Sequence, residues 1–371
     1  MKFSHAIAIT YIRVIKAVRI FIIRILSALF FKKQSVYKKI LINRDGAFGD
    51  SVVALPAINV IRQNYPLAQI DLLCINNGNV SFNNLGLVEG LIDNTYVSSK
   101  KERKKRLLDL KKEHYDLFIQ IPQNIGTYKT IRNILFVRFF LNIQSAFGWD
   151  SGRVKSFMRL QKIYEPIPTE TMRFIATLKQ HGLIGEIAYP LQSRPTKNNE
   201  LNSLVSESTP IAFLIGGKLQ PKKWPMDYWV SLAKLIGDNE KILIIGGNAE
   251  ENDAEYLKSK TTNTINLCGK LSIPELTYVF QNIKIAVSLD TGAMHLCDAA
   301  GAKLVALFST RDLSNKWFPN NKSSIVIEKV LPCSFCLKSQ CENNICMSNI
   351  LPNEVYSRMK GLLSDRNASI Q

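Results

Sequence analysis

The chain has 371 residues, of which 46% are hydrophobic, and carries a formal net charge of +18. This length suits two domains with separate cores, and the apolar content excludes an intrinsically disordered chain. The charge is concentrated in residues 1–44, with ten basic residues and no acidic one, and in residues 100–112, with eight basic residues against two acidic ones, which indicates local anionic partners.

Residues 1–36 are predicted to form a basic amphipathic helix. Within the apolar stretch 9–31, the longest charge-free run, Ile25–Phe31, is far shorter than the ~20 residues of a membrane span. Helical spacing places four cations on one side and six apolar residues on the other, with Ile20 and Ile23 intruding on the charged side. The cations are Arg13, Lys16, Arg19 and Arg24, and the apolar residues are Val14, Val18, Phe21, Ile22, Ile25 and Leu29. This pattern favours a helix lying on an anionic membrane surface, and the alternative is a helix packed on the protein's own surface.

From residue 37 onward, short apolar runs alternate with helical patterns. Strands are predicted at 38–44, 69–75, 115–122, 144–149, 211–217, 241–247, 285–289 and 303–309, with helices between most of them. Such alternation predicts parallel sheets, here two Rossmann-like domains facing a central cleft. Residues 191–208 are rich in Pro, Ser and Asn and are predicted to link an N-terminal domain, 37–190, to a C-terminal domain, 209–371.

A glycine-rich turn, Arg44–Asp50, follows the first strand of the N-terminal domain. Gly46 and Gly49 allow a tight turn and the close approach of a ligand to the backbone. Asp50 begins the next helix, where a carboxylate is commonly a helix cap. At the carboxyl end of a parallel strand it also lies where a ligand binds, so it is a candidate base toward an alcohol.

The C-terminal domain carries a second turn of this kind, Asp290-Thr291-Gly292, between a strand and a helix. The start of a helix favours an anion such as a diphosphate, and His295 follows one turn later. Other candidates for phosphate binding are Gly217 and Lys218, after a strand, and Lys222, before a helix. The alternative is that these residues are ordinary caps, a structural histidine and surface lysines. The chain has neither a G-x-G-x-x-G nor a Walker motif, which argues against a dinucleotide dehydrogenase or a P-loop enzyme.

Four cysteines cluster near the end of the chain, at Cys333, Cys336, Cys341 and Cys346. Their spacing permits zinc or an iron–sulfur cluster, although it is loose for a zinc ribbon. A structural loop lined by thiols is the favoured interpretation, so no metal is assigned.

Several segments together resemble glycosyltransferase family 9, the ADP-heptose:lipopolysaccharide heptosyltransferases. They are residues 42–74, with Gly49 and Asp50; residues 222–236, beginning KKWP; residues 266–309, with DTGAMH; and residues 333–355, with the four cysteines. The resemblance runs from about residue 39 to 363 and leaves the basic N-terminal helix outside. It implies a GT-B fold, with the acceptor on the N-terminal domain, the nucleotide sugar on the C-terminal domain, and inversion of the anomeric centre.

The resemblance also implies roles for single residues. Asp50 would be the base that deprotonates the acceptor hydroxyl, and Lys222 would meet the donor diphosphate. Asp290, Thr291, Gly292 and His295 would hold the sugar and phosphates, Glu251 or Glu250 the ribose, and Leu271 the adenine. Gly217 and Lys218 stand where hydroxyl residues often occur in the family, so phosphate contacts there are expected to differ. No cofactor or metal is required beyond the nucleotide-sugar donor, ADP-heptose.

The implied partners are the lipopolysaccharide core, or a related lipid-linked saccharide, and an anionic membrane surface on the cytoplasmic side of the inner leaflet. Arg44 and Gly49, together with Lys101, Arg103 and Lys104 of the second basic run, are predicted to lie on the acceptor side. No aromatic residue interleaves that run, which argues against nucleic acid. The alternatives are a family member with another nucleotide sugar, and a membrane-associated GT-B protein that binds a sugar nucleotide without turnover.

Overall fold

The computed structural model describes residues 2–74, 89–97, 103–121, 126–149, 166–191 and 195–364. The chain divides into two compact units. Unit 1 comprises residues 1–163 and 170–190, and unit 2 comprises residues 164–169 and 191–371. Each unit is built around a sheet in which every strand pair is parallel.

Unit 1 is an α/β layer structure with the strand order β3-β2-β1-β4-β5. Its elements are α1 (Lys2–Phe30), β1 (Lys39–Asn43), α2 (Phe48–Val52), α3 (Leu55–Asn64), β2 (Gln69–Cys74), β3 (Asn94–Val97), α4 (Arg103–Lys112), β4 (Leu117–Gln120), α5 (Thr127–Leu135), which continues as a π-helical turn to Phe140, β5 (Ser145–Phe147) and α6 (Glu170–Gln180). The central strand is β1. Its residues Ile40, Leu41 and Ile42 are wholly inaccessible, because crossover helices cover both faces of a parallel sheet. The strand order reverses between β1 and β4.

Among its described side chains, helix α1 packs against unit 1 through one face. Ile23 and Phe31 belong to the buried core, Phe30 meets Phe139 edge-on at 5.3 Å, and Phe31 stacks on Trp149. Ile23 broke the two-sided pattern in the sequence because it faces the protein rather than solvent. The six apolar residues of the opposite side, by contrast, are all exposed. No helix among the described residues is both long and apolar enough to span a bilayer.

Unit 2 has a six-stranded sheet in the order β11-β10-β9-β6-β7-β8. Its elements are α7 (Asn199–Ser208), β6 (Ile211–Leu214), α8 (Met226–Ile236), β7 (Ile242–Ile245), α9 (Glu251–Ser259), β8 (Thr264–Asn266), α10 (Ile273–Gln281), β9 (Ile285–Leu289), α11 (Gly292–Ala299), β10 (Leu304–Phe308), β11 (Ser324–Glu328), α12 (Ile345–Ser348) and α13 (Pro352–Ser364), with 3-10 turns at Gln220–Lys222 and Asn248–Glu250. This is the order of a six-stranded Rossmann fold, and it reverses between β6 and β9.

The segment between the units contains more regular structure than its composition suggests. Residues 199–208 of the predicted linker form α7, whose first turn is capped by the Asn198 side chain accepting the Leu201 N–H at 3.0 Å. Leu201 and Val205 are buried, because four-residue spacing places them on the same face of the helix. Residues 164–169 cross to unit 2, where the Asn315 side chain donates to the Ile167 carbonyl at 2.7 Å.

Candidate active site

The reversal of strand order in unit 2 brings several predicted residues to one edge of its sheet. Strands β6 and β9 are neighbours, and their carboxyl ends lead into Gly216-Gly217 and Asp290-Thr291. In open parallel sheets the ligand crevice lies at this reversal, outside the carboxyl ends of the strands. The residues predicted to handle a diphosphate are therefore at the position where this fold binds ligands.

Lys222 and Asp290 form an ion pair at this edge. The Lys222 side chain is 17% exposed and that of Asp290 is 11% exposed, so the pair is shielded but accessible. The lysine ends the short 3-10 turn after β6, and the aspartate follows β9 directly. A lysine ammonium has three N–H donors, so a pairing with one carboxylate leaves donors for an incoming anion.

The turn that carries Lys222 is held in place from the far end of the chain. The Trp224 indole N–H donates to the Ile350 carbonyl at 2.9 Å, and this tryptophan is buried against Trp229. The Cys341 N–H donates to the Gln220 side chain at 3.0 Å. The Asn344 side chain donates to the carbonyl of the residue that follows Lys222, at 2.8 Å. The cysteine-rich segment 333–346 thus supports the lysine turn.

The four clustered thiols differ in their environments. Cys333 is exposed, Cys336 and Cys341 are half-buried, and Cys346 is buried with its sulfur 3.2 Å from the Ser309 hydroxyl. Within the ranges that the structure describes, no three His, Cys, Asp or Glu side chains are placed to hold a metal ion. The contacts that this segment makes with the lysine turn come from the Cys341 backbone and the Asn344 side chain, not from the thiols.

Helix α11 begins at the end of β9 and is capped by Thr291, whose hydroxyl accepts the Met294 N–H at 3.3 Å. His295, one turn in, is buried and meets the Trp317 ring edge-on at 6.0 Å. Asp298 lies on the same face. Burial raises the pKa of its carboxyl, although the carboxylate accepts two backbone N–H groups from the segment before β11. Asp298 was missed in the sequence, where its signal is the i, i+3 spacing from His295.

The structure distinguishes the two carboxylates considered for the ribose. Glu250 is buried, its side chain accepts the Gly247 N–H at 3.0 Å, and it lies 4.0 Å from the Lys223 ammonium. Glu251 is exposed at the first turn of α9. Glu250, and not Glu251, faces the end of β7, so Glu250 is the better placed of the two for contact with a ribose.

Three further residues, Gly217, Lys218 and Leu271, are predicted to bind the sugar nucleotide. Gly217 is buried, and a Cβ there would lie 3.3 Å from the Lys223 side chain. Lys218 is exposed, and Leu271 is half-buried just before α10. Lys218 makes no ion pair in the described part of unit 2, so the structure does not tie it to the Lys222–Asp290 pair.

In unit 1, Asp50 lies after β1, at the reversal of strand order between β1 and β4. Its carboxylate accepts the Ala47 N–H at 3.0 Å and an Arg44 N–H at 3.3 Å, and Arg44 also donates to the Asp50 carbonyl at 3.2 Å. Asp50 is therefore both a capping residue and a partly exposed carboxylate, with 31% of its side chain accessible.

Arg44, which is predicted to lie on the acceptor side, is buried. Its guanidinium lies 4.8 Å from the centre of the Phe174 ring. Burial lowers the pKa of Arg44, and the nearby Asp50 and Glu170 carboxylates partly offset this by raising it. Sequence alone missed this partnership, since Phe174 and Glu170 lie in α6, far along the chain. Arg44 is thus placed to orient Asp50.

The close approach of the Asp50 side chain to the backbone of this turn requires a glycine at position 46. A Cβ at this position would lie 2.4 Å from the Asp50 Cβ and 2.9 Å from its Cγ. We expect Gly46→Ala to displace the Asp50 carboxylate. With Asp50 as the predicted base, turnover falls about 10²-fold, the cost of about 1 Å of misplacement. Gly126→Ala is the matched control, because that glycine has negative φ and no heavy atom near a new Cβ. Steady-state transfer rates measure both variants, and equal rates would show that the turn tolerates a side chain.

The second basic run contributes α4 to unit 1. Arg103 begins this helix and Lys104 is exposed, while Leu110 anchors the helix in the core. Lys101 lies outside the described residues. No hydrogen bond or ion pair in the described part of unit 1 joins Lys104 to Asp50, so the structure does not bring the two together. Gly49, within α2, accepts the Val53 N–H through its carbonyl.

Known proteins share both the sequence and the architecture. The family model for glycosyltransferase family 9 (heptosyltransferase) matches residues 108–346. Lipooligosaccharide heptosyltransferase 2 of Campylobacter jejuni serotype O:2 is 22% identical over 88% of this chain and 99% of its own length. A family 9 glycosyltransferase from Veillonella parvula superimposes with a TM-score of 0.69 at 19% identity, covering 89% of this chain and 98% of that one.

An Escherichia coli heptosyltransferase solved with ADP-2-deoxy-2-fluoro heptose has a TM-score of 0.62 at 19% identity, covering 87% of this chain and 99% of that one. Likeness at this level shows the fold, which is GT-B, the two-domain class of glycosyltransferase. The match of the family model covers more than half of the chain, and the chain belongs to glycosyltransferase family 9, the heptosyltransferases. The predicted family, the GT-B fold with two parallel-sheet domains, and the enzyme class, a glycosyltransferase, are thereby confirmed.

Proposed function

We propose that the chain transfers heptose from ADP-heptose to a sugar of the lipopolysaccharide core, with inversion at the anomeric carbon. The observation that carries this proposal is the shielded Lys222–Asp290 pair at the reversal of strand order in unit 2, beside the start of α11. The relatives named above support the choice of substrates, because they are heptosyltransferases, one of them solved with an ADP-heptose analogue.

The donor site follows from the charges in unit 2. Lys222 and the free N–H groups of α11 meet the diphosphate, so that negative charge developing on the departing ADP is stabilised where it forms. Thr291 and Gly292 bring that helix start close to the phosphates. His295 faces the sugar side of the same edge, Glu250 takes the ribose hydroxyls, and Leu271 lines the adenine site.

The acceptor step assigns the proton to Asp50. As the acceptor oxygen forms its bond to the anomeric carbon, the bond from that carbon to the diphosphate oxygen breaks, and the hydroxyl proton passes to the Asp50 carboxylate. Attack opposite to the leaving group gives inversion. Arg44 holds the carboxylate in place through its two contacts with Asp50. The basic residues of α4 and the adjoining run, including Lys101, Arg103 and Lys104, meet phosphates on the acceptor.

The proposed activity is tested by the structure of the product. A strain that lacks this chain is expected to make lipopolysaccharide truncated by one heptose and everything beyond it, as measured by mass spectrometry. Expression of the full chain restores the missing mass, and expression of Asp50→Asn does not. In vitro, ADP release should depend on both ADP-heptose and the truncated acceptor. A missing residue other than heptose would overturn the donor assignment, and an unchanged lipopolysaccharide would overturn the pathway.

A membrane-bound acceptor requires the enzyme to reach a membrane surface, and we assign this task to α1, on the cytoplasmic face of the inner leaflet. The exposed apolar side of the helix forms one stripe, with exposures from 39% to 71%: Val14, Val18, Phe21, Ile22, Ile25 and Leu29. We call this set the apolar stripe. Arg24, which lies between Phe21 and Ile25 along the helix, is exposed, and its charge matches an anionic bilayer. Residence at the surface raises the effective concentration of the acceptor.

The double variant Phe21→Ser/Leu29→Ser is expected to weaken binding to anionic vesicles at least about tenfold, because two large side chains lose their apolar environment. Point variants are the suitable probe, since Ile23 and Phe31 of the same region belong to the core of unit 1. Leu67→Ser is the control, because Leu67 is 99% exposed and lies outside the stripe. Co-sedimentation over a salt series measures the binding. Equal binding of all proteins, or binding indifferent to lipid charge, contradicts the assignment.

A further inference from the structure

Unit 1 contains a pocket of about 610 Å³ that the proposed reaction does not use. Its wall is formed by the second half of α1, the segment that follows it, β5 and the carboxyl end of α6. The sheet residues that line the pocket include Leu117 and Ser145, the first residues of β4 and β5. Asp50, by contrast, follows the carboxyl end of β1. Asp50 is not among the residues that line the pocket.

The pocket is rich in unpaired positive charge. Arg24, Lys32 and Lys33 line it, and none of them has an ion-pair partner among the described residues. His181 lines it too and stacks on Phe147 at 4.3 Å, and burial together with Lys33 lowers the pKa of this histidine. No Asp or Glu among the described residues lines the pocket. Three cations around a cavity without a carboxylate leave a site that attracts anions.

Part of the pocket wall is apolar. Ile20, Ile23, Phe31 and Trp149 contribute this apolar surface, next to the three cations. The cavity thus suits a ligand with an anionic head and an apolar body.

The apolar stripe of α1 lies beside this pocket. At helical spacing, Arg24 stands between the pocket face, with Ile20 and Ser27, and the stripe, with Phe21 and Ile25. A bilayer seated on the stripe therefore meets the rim of the pocket. We infer that the pocket binds the phosphate headgroup of one anionic glycerophospholipid, with Arg24, Lys32 and Lys33 around the phosphate and the acyl chains running along the stripe.

This inference rests on the proposed membrane docking, so its test uses a lipid that forms no membrane. Dihexanoyl phosphatidylglycerol, below its critical micelle concentration, is titrated into the full chain and followed by calorimetry. We expect saturable binding of one lipid per chain, and binding at least about tenfold weaker for dihexanoyl phosphatidylcholine, whose headgroup has no net charge. Equal affinity for both lipids would overturn the inference.

Two variants separate the pocket from general surface charge. Lys32→Ala/Lys33→Ala is expected to weaken the binding at least about tenfold, whereas Lys38→Ala/Lys241→Ala, which removes the same charge outside the pocket, leaves it unchanged. Ala28→Trp fills the pocket without a change of charge. It is expected to abolish binding of the soluble lipid while vesicle adsorption persists, because it adds an apolar side chain to α1.

The same measurements distinguish a lipid from a free phosphate compound and the pocket from the membrane. Full competition by inorganic phosphate at the concentration of the lipid would overturn the assignment to a lipid. Adsorption to anionic vesicles without binding of the soluble lipid would overturn the pocket and leave membrane docking intact. Binding of the soluble lipid without adsorption would uphold the pocket and remove the docking proposal.

Discussion

Asp50→Asn is expected to lower the rate of sugar transfer by about 10²–10⁴-fold and to leave ADP affinity unchanged. The amide can still accept the Ala47 N–H that the carboxylate accepts at 3.0 Å, so the start of α2 stays capped. It cannot take a proton from the acceptor hydroxyl, and the loss therefore falls on the chemical step. Single-turnover transfer, with ADP binding followed separately by calorimetry, measures the two quantities.

Asp45→Asn is the matched control, because it removes the same charge from the same turn. A loss for Asp45→Asn as large as that for Asp50→Asn would show that the turn needs net charge and no particular base. Melting temperatures close to wild type in both variants establish that the fold is unchanged. Transfer by Asp50→Asn within a few-fold of wild type would reduce Asp50 to its role at the start of the helix.

Lys222→Ala is expected to weaken ADP binding about 10- to 100-fold and to lower kcat/KM further, since the diphosphate loses its charged donor while its charge is growing. The variant also leaves the shielded Asp290 carboxylate without its partner, which adds repulsion toward the phosphates. Calorimetry with ADP and steady-state transfer measure these effects.

Lys234→Ala is the control for lost charge in unit 2, because Lys234 is exposed on α8. The double variant Lys222→Ala/Asp290→Asn should recover part of the lost ADP affinity, since the repulsion is relieved. Unchanged ADP affinity in Lys222→Ala would place the diphosphate elsewhere. An absence of recovery in the double variant would show that Asp290 does not face the phosphates.

The elements that sequence reasoning found are the ones with strong local patterns. The apolar runs Lys39–Asn43 and Ile285–Leu289 are central strands, because burial on both faces demands continuous apolar residues. The edge strands Asn94–Val97, Thr264–Asn266 and Ser324–Glu328 were missed. They are farther from the centre of their sheets and carry polar residues, so their pairing depends on neighbours and not on their own composition.

The candidate site shows the same division. Asp50, Lys222, Asp290 and His295 could be named from sequence as candidates, because each lies near the end of a recognisable strand or the start of a helix. The contacts that orient these residues could not be predicted from the sequence. Arg44 is held by Phe174, and the lysine turn is held through Trp224 and Ile350. These contacts join residues more than a hundred positions apart, and spacing along a chain carries no information about them.

The attachment of the lysine turn to the last part of the chain also sets an order of events during synthesis. Every residue of unit 1, including Asp50, has been made when Pro190 leaves the ribosome. The turn around Lys222 acquires its supports only when Cys341, Asn344 and Ile350 have followed. Domains form from the N-terminus onward as they are translated. A nascent chain thus completes the unit that carries Asp50 well before it supports the turn around Lys222, and a message cut short after residue 340 yields a protein in which that turn lacks these supports.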